Sequence, residues 1–214
     1  MMQTHDLISM LASQVEPVNR QALLKDCALQ LGAGLLVATL VMVAVFGINP
    51  ALREALAQPM FWVKLAYPAS LASLGLGLAW LAGAPGRSLG WLLRSLAVPV
   101  LLMLALAAVV MFNAEMPQRN ALVFGTTWKV CAMSITLVSA PLFVAAIWAL
   151  KSLAPTRLRL AGAAAGLLAG AAGTLVYAFH CPELAAPFVA LWYTAGIAVP
   201  TLVGAALGPK LLRW

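Results

Sequence analysis

Cys131 and Cys181 are the residues of this 214-residue sequence with the most chemistry to offer. Cys131 opens one long apolar stretch and Cys181 closes the next, with His180 and Glu183 beside it. The two stretches are joined by a short loop, which makes them antiparallel neighbours. Counting away from that loop, roughly 19 residues lead back to Cys131 and roughly 21 lead on to Cys181. At about 1.5 Å each, both thiols reach nearly the same height, roughly 30 Å from the loop. Two thiols level on adjacent helices can close a disulfide or share a soft metal ion, with His180 and Glu183 as accessory ligands. Each is equally readable as a small buried residue. The spacing matches no metal signature, so no metal is firmly assigned. No CxxC pair is present, and membrane thiol oxidoreductases use such a pair to pass electrons.

The remaining candidates are fewer. Cys27 sits at the mouth of the first apolar stretch and reads as a free thiol packed at an interface. Lys64 lies one turn inside the second stretch and reads as an interface anchor that snorkels its ammonium toward water, with a functional site as the alternative. No Asp, Glu or Arg lies at mid-depth, where transporters and pumps place their ionisable groups. No phosphate-binding glycine loop, Ser–His–Asp set or carboxylate pair can be assembled, and no cofactor is implied.

The elements that must position these groups are long and apolar. The chain is 64% hydrophobic and 9% charged, more apolar surface than a soluble domain of this length can hide. Six stretches, 29–48, 61–82, 94–113, 130–150, 160–180 and 187–207, are each long enough to cross about 30 Å of hydrocarbon as a helix. The expected fold is all-α: a polytopic membrane bundle of six transmembrane helices in the lipid bilayer, carrying a short amphipathic N-terminal segment. The domain boundary falls between segment 1–27 and bundle 28–214. The first stretch is too long for the apolar core of a signal peptide and is read as retained.

Lys and Arg orient the bundle. Arg20, Lys25, Arg87, Arg94, Lys151, Arg157, Arg159, Lys210 and Arg213 fall on one side, and Arg53, Lys64, Arg119 and Lys129 on the other. Nine against four places both termini in the cytoplasm and the thiol pair on the outer, oxidising side. The same bias accounts for the net charge of +7. The charges form no basic stripe, so direct nucleic-acid binding is not expected.

In the N-terminal segment, Leu7, Ile8, Leu11 and Val15 recur at helical spacing on one face, until Pro17 ends the run. A second run, Gln21 to Asp26, continues into the first stretch. A helix as short as the first is marginal alone in water. Its apolar face has two uses: lying on the membrane or bundle, or gripping a partner. Gly162, Gly166 and Gly170 recur every fourth residue in the fifth stretch, with Gly173 beyond, an edge that admits a neighbouring helix closely.

Five pieces carry a resemblance that runs from tail to C-terminus. They are HDLISMLASQVEPV from His5, FWVKLAYPASLA from Phe61, WKVC from Trp128, FHCPELAAPFVALWY from Phe179 and the terminal GAALGPKLLRW. Together they resemble the six-span bacterial anti-sigma factors called negative regulators of sigma F. The resemblance implies a cytoplasmic N-terminal segment that holds an extracytoplasmic-function sigma factor at the inner membrane. It also implies outer cysteines, here Cys131 and Cys181, that sense heavy-metal or oxidative stress. The sigma-binding face is then Leu7, Ile8, Leu11 and Val15. A regulator rather than an enzyme is expected. The alternatives are a quinone-linked membrane thiol oxidoreductase, in which the two cysteines cycle, and a transporter.

Overall fold

In a computed structural model, residues 4–13, 20–83 and 90–213 are described, and all their regular structure is helical. The N-terminal helix α1 spans Thr4–Ser13 and α2 spans Arg20–Val45, running on from the polar stretch through residues 27 and 28 into the apolar one. Gly47, at φ +77, ends α2: its amide returns to the carbonyls of Met42 and Val43, each at 3.2 Å. A short α3 (Leu52–Leu56) precedes α4 (Pro59–Ala82), which starts with proline, where the missing N–H costs nothing. Then come α5 (Gly90–Ser95), α6 (Ala97–Asn113), α7 (Met116–Phe124), α8 (Trp128–Lys151) and α9 (Leu158–Tyr177). A single turn, α10 (Ala186–Phe188), leads through a π-helical turn at Val189–Tyr193 into α11 (Thr194–Leu211).

Six helical segments are long and apolar enough to cross a membrane, as the sequence predicts. They are Gln21–Val45, Pro59–Ala82, Gly90–Asn113, Met116–Lys151, Leu158–Tyr177 and Ala186–Leu211. Several outrun the apolar stretches because polar flanks continue the helical ladder beyond the hydrocarbon.

The bundle is built around α9, which packs on α11, α4 and α8. The expected glycine edge makes this possible. A Cβ at Gly162 would overlap the Gly204 carbonyl, and one at Gly166 the Pro200 carbonyl, both on α11. Gly173 faces α8 instead, where a Cβ would strike Ser139. Without side chains between them the two backbones sit in van der Waals contact, the main source of helix association in lipid.

Packing does not follow chain order throughout: short loops favour neighbours in sequence, yet α2 packs chiefly on α8. Gly34 of α2 is seated so close to α8 that a Cβ would lie 2.7 Å from that of Ala145. The connection through α3 is long enough to let α2 pass α4 and reach this small-residue surface. The peripheral α6 buries only Met103 and Ala107, and Leu101, Leu102 and Val109 face outward, as lipid-facing residues do.

Three connections gather at one end of the bundle. The Asn49 amide donates to the Phe179 carbonyl (3.1 Å), and the Trp192 indole N–H donates to the Val123 carbonyl (2.9 Å). Thr126 donates to Glu183 through both its amide and its hydroxyl, each at 2.7 Å. At the opposite end Gly83, after α4, sits against Leu153, after α8.

Candidate functional site

The thiols meet at the end where those three connections gather. Cys131 is in the first turn of α8, where its amide bonds the Thr127 carbonyl at 3.0 Å. Cys181 follows α9, and its amide closes on the Tyr177 carbonyl at 3.1 Å. The heights counted along the sequence are level in space as well: the Cys131 thiol hydrogen-bonds the Cys181 sulfur. Both are free thiols, and both are sealed, at 0% and 2% exposure.

Two tyrosines enclose the pair. The Tyr177 hydroxyl reaches Ser134 and Cys131 from α9. Tyr193, the last residue of the π-helical turn, is fully buried with its hydroxyl beside Cys181, and that hydroxyl makes no hydrogen bond of good geometry. A π turn inserts one residue into the helical ladder and rotates what precedes it, so it re-aims side chains at sites.

Lys64 is the correction. The anchor reading places its ammonium in water, but the side chain is 0% exposed, the only charged side chain buried among the described residues. Its Nζ donates to the Cys181 carbonyl at 2.5 Å and lies 5.7 Å from the Tyr193 ring centroid and 6.0 Å from that of Phe61. The first turns of α4 face inward at this position, under the Cys181 loop, so the stem leads into the bundle. No carboxylate pairs with it among the described residues. Glu183 is held by Thr126.

This surrounding acts unequally on the two sulfurs. The hydrogen bond from Cys131, the Lys64 charge and the Glu183 amide hold the Cys181 thiol below the ordinary thiol range, against the opposing effect of burial.

The accessory residues are engaged elsewhere. His180 Nδ1 pairs with the Gly47 carbonyl at 3.0 Å, its ring tilted against Phe46 and Tyr177. Among the described residues no three His, Cys, Asp or Glu side chains converge on a common point. The arrangement is a thiol pair with a cation beside it. Lys64, Tyr177 and Tyr193 are the members that sequence reasoning missed. The signal for Lys64 was its isolation, a lysine in an apolar helix with no acid nearby in sequence. The π turn left no signal.

At the other end, Cys27 is half-buried, its thiol 3.8 Å from the Ala149 carbonyl. In α1, Ile8 and Met10 are 62% and 51% exposed. Val15 and Arg87 lie outside the described residues, as do the side chains of Leu7 and Leu11.

Residues 11–214 match the family described as Negative regulator of sigma F. The chain is 45% identical, over the full length of both proteins, to the "Probable anti-sigma-F factor NrsF" of Azospira oryzae. It is 32% identical, again over the full length of both, to the "Anti-sigma-F factor NrsF" of Caulobacter vibrioides. No solved structure matches it. Likeness of this extent, covering tail, bundle and the stretch that holds the thiols, places the chain in one family: it belongs to the negative regulators of sigma F.

Proposed function

We propose that this chain is a membrane anti-sigma factor of the bacterial inner membrane, with both termini in the cytoplasm. Its N-terminal segment, residues 1–27, sequesters an extracytoplasmic-function sigma factor. Its helical domain, residues 28–214, anchors that complex and carries a signal inward from the outer thiols, Cys131 and Cys181. The observation that carries this reading is the full-length similarity to two proteins named as anti-sigma-F factors.

The physical features support it. Ile8 offers an exposed apolar side chain on a short helix, the kind of surface that binding to a partner covers. The bundle lacks mid-depth acids to couple transport, which disfavours a transporter. The thiols respond by joining. Each loses a proton and the two lose an electron pair to a hydroperoxide, whose O–O bond breaks to give water and an alcohol or a second water. The new S–S bond ties the start of α8 to the end of α9, a constraint that the dithiol lacks. That constraint favours one packing of the bundle and loosens the grip of the tail.

Co-purification tests the grip. The intact chain should retain its sigma factor from solubilised membranes, and Ile8→Glu should reduce retention at least about tenfold, because a charge enters an apolar contact. Because Ile8 is exposed, the variant should insert normally. Full retention by Ile8→Glu would remove this face from the interface.

A further inference from the structure

Lys64 has no part in the reading above, yet burying it is costly. A charged side chain taken out of water is tolerated where other groups compensate it. Here the contacts consist of one carbonyl and two ring faces, and the carboxylate whose charge reaches the ammonium, that of Glu183, is bonded to Thr126 and makes no ion pair with it. What stands beside that carbonyl is the sulfur of the same residue, itself hydrogen-bonded by Cys131.

We propose that Lys64 is a positioning residue that gives the two thiols unequal roles, making Cys181 the nucleophile that reacts first and Cys131 its resolving partner. The inference rests on the thiol-sensor reading and deepens it. Three observations converge. The ammonium is fixed to the Cys181 backbone and not to Cys131. The Cys131 thiol is hydrogen-bonded to the Cys181 sulfur, an interaction that favours loss of the proton from Cys181. The Tyr193 hydroxyl is a buried donor beside Cys181, directed at its sulfur and at no other side chain meeting strict hydrogen-bond geometry.

With a hydroperoxide the steps balance. The Cys181 thiolate attacks one peroxide oxygen, the S–O bond forms, the O–O bond breaks, and hydroxide or alkoxide leaves with the electron pair. Cys181 is then a sulfenic acid. The Cys131 sulfur displaces its hydroxyl group, forming the S–S bond, and the Cys131 proton leaves with that hydroxyl as water. Tyr177, within reach of Cys131, holds the resolving thiol in place.

Labelling of the full chain in native membrane vesicles tests this. Limiting methyl methanethiosulfonate, a small neutral thiol reagent, is followed by peptide mass spectrometry. In the unsubstituted chain Cys181 should label about tenfold faster than Cys131, because the ammonium that favours a thiolate is fixed to Cys181. Lys64→Met should slow Cys181 by about tenfold without speeding Cys131, and Lys64→Arg, which keeps the charge, should restore most of the rate. A purely structural role predicts the reverse: a loosened Lys64→Met variant exposes both thiols and labels both faster. Equal rates in the unsubstituted chain, or Cys131 ahead, would overturn the proposal before any variant is made. The sensor reading fails separately, on the transcriptional response of a chain without these cysteines, so the two failures are distinguishable.

Discussion

A buried thiol is inert packing or a poised nucleophile according to what touches it, and Cys131 and Cys181 touch each other, two tyrosines and a lysine. If the pair is the input, removing both sulfurs should leave repression intact and abolish the response. A Cys131→Ser, Cys181→Ser chain should therefore still insert and still repress, while sigma-dependent transcription no longer rises under peroxide. Cys27→Ser should respond like the parent, since Cys27 lies at the opposite end against Ala149. Normal induction in the double variant would end the sensor reading. The pair itself was legible from sequence, because helical rise per residue is fixed and a short loop sets a common origin for counting. Lys64 was not. A lysine in a helix that is apolar all round can point to the lipid interface or into the bundle. Only rotation about the helix axis decides which, and an apolar pattern without a polar face does not encode that rotation.

Among the helices, the small-residue edge of α9 does the most to fix the packing. Its spacing announced close approach, and the structure supplies the partner in α11, whose Gly204 and Pro200 carbonyls fill the space that side chains at Gly162 and Gly166 would need. Relief at Gly166 requires two backbones to separate, since no flexible side chain is available to move aside. Gly166→Val should therefore cost about 3 kcal/mol, at the upper end of ordinary overpacking. Gly32, on α2, faces open space, and Gly32→Ala should stay within about 0.5 kcal/mol. Unfolding midpoints of the two variants in detergent make the comparison, and equal midpoints would mean that α9 and α11 do not approach as described. The seat of α2 on α8 escaped the sequence reading because chain connectivity limits only how far a helix can travel. Its choice among surfaces within reach depends on shape, here the match of Gly34 to Ala145. The π turn was equally hidden, since its composition, Val189 to Tyr193, is that of an ordinary apolar helix.

At the scale of the whole molecule, an even number of spans puts both termini at one end, and the basic residues decide which compartment that end faces. Reporter fusions after Lys151 and after Arg213 should both read as cytoplasmic, and a periplasmic signal from either would invert the orientation and the site with it.

With that orientation the thiols and the tail lie at opposite ends of the bundle, so in the proposed sensor the signal is a coupling free energy carried by packed helices. Coupling of this kind is reciprocal. If closing the Cys131–Cys181 disulfide weakens the grip on the sigma factor by some factor, binding of the sigma factor must disfavour the disulfide by the same factor. For a two-electron couple, a tenfold effect on affinity corresponds to a shift of about 30 mV in the reduction potential of the pair. The sign follows from the direction of release. The bound partner stabilises the dithiol, so the disulfide becomes easier to reduce and the potential rises. Titrating the pair against glutathione buffers in vesicles, with and without saturating sigma factor, measures the shift, and the affinities of the oxidised and reduced chains supply the factor it must match. An unchanged potential alongside a tenfold difference in affinity is thermodynamically forbidden for a single closed cycle. That combination would show that release proceeds through another step, such as loss of the tail, and not through an equilibrium shift of α8 against α9.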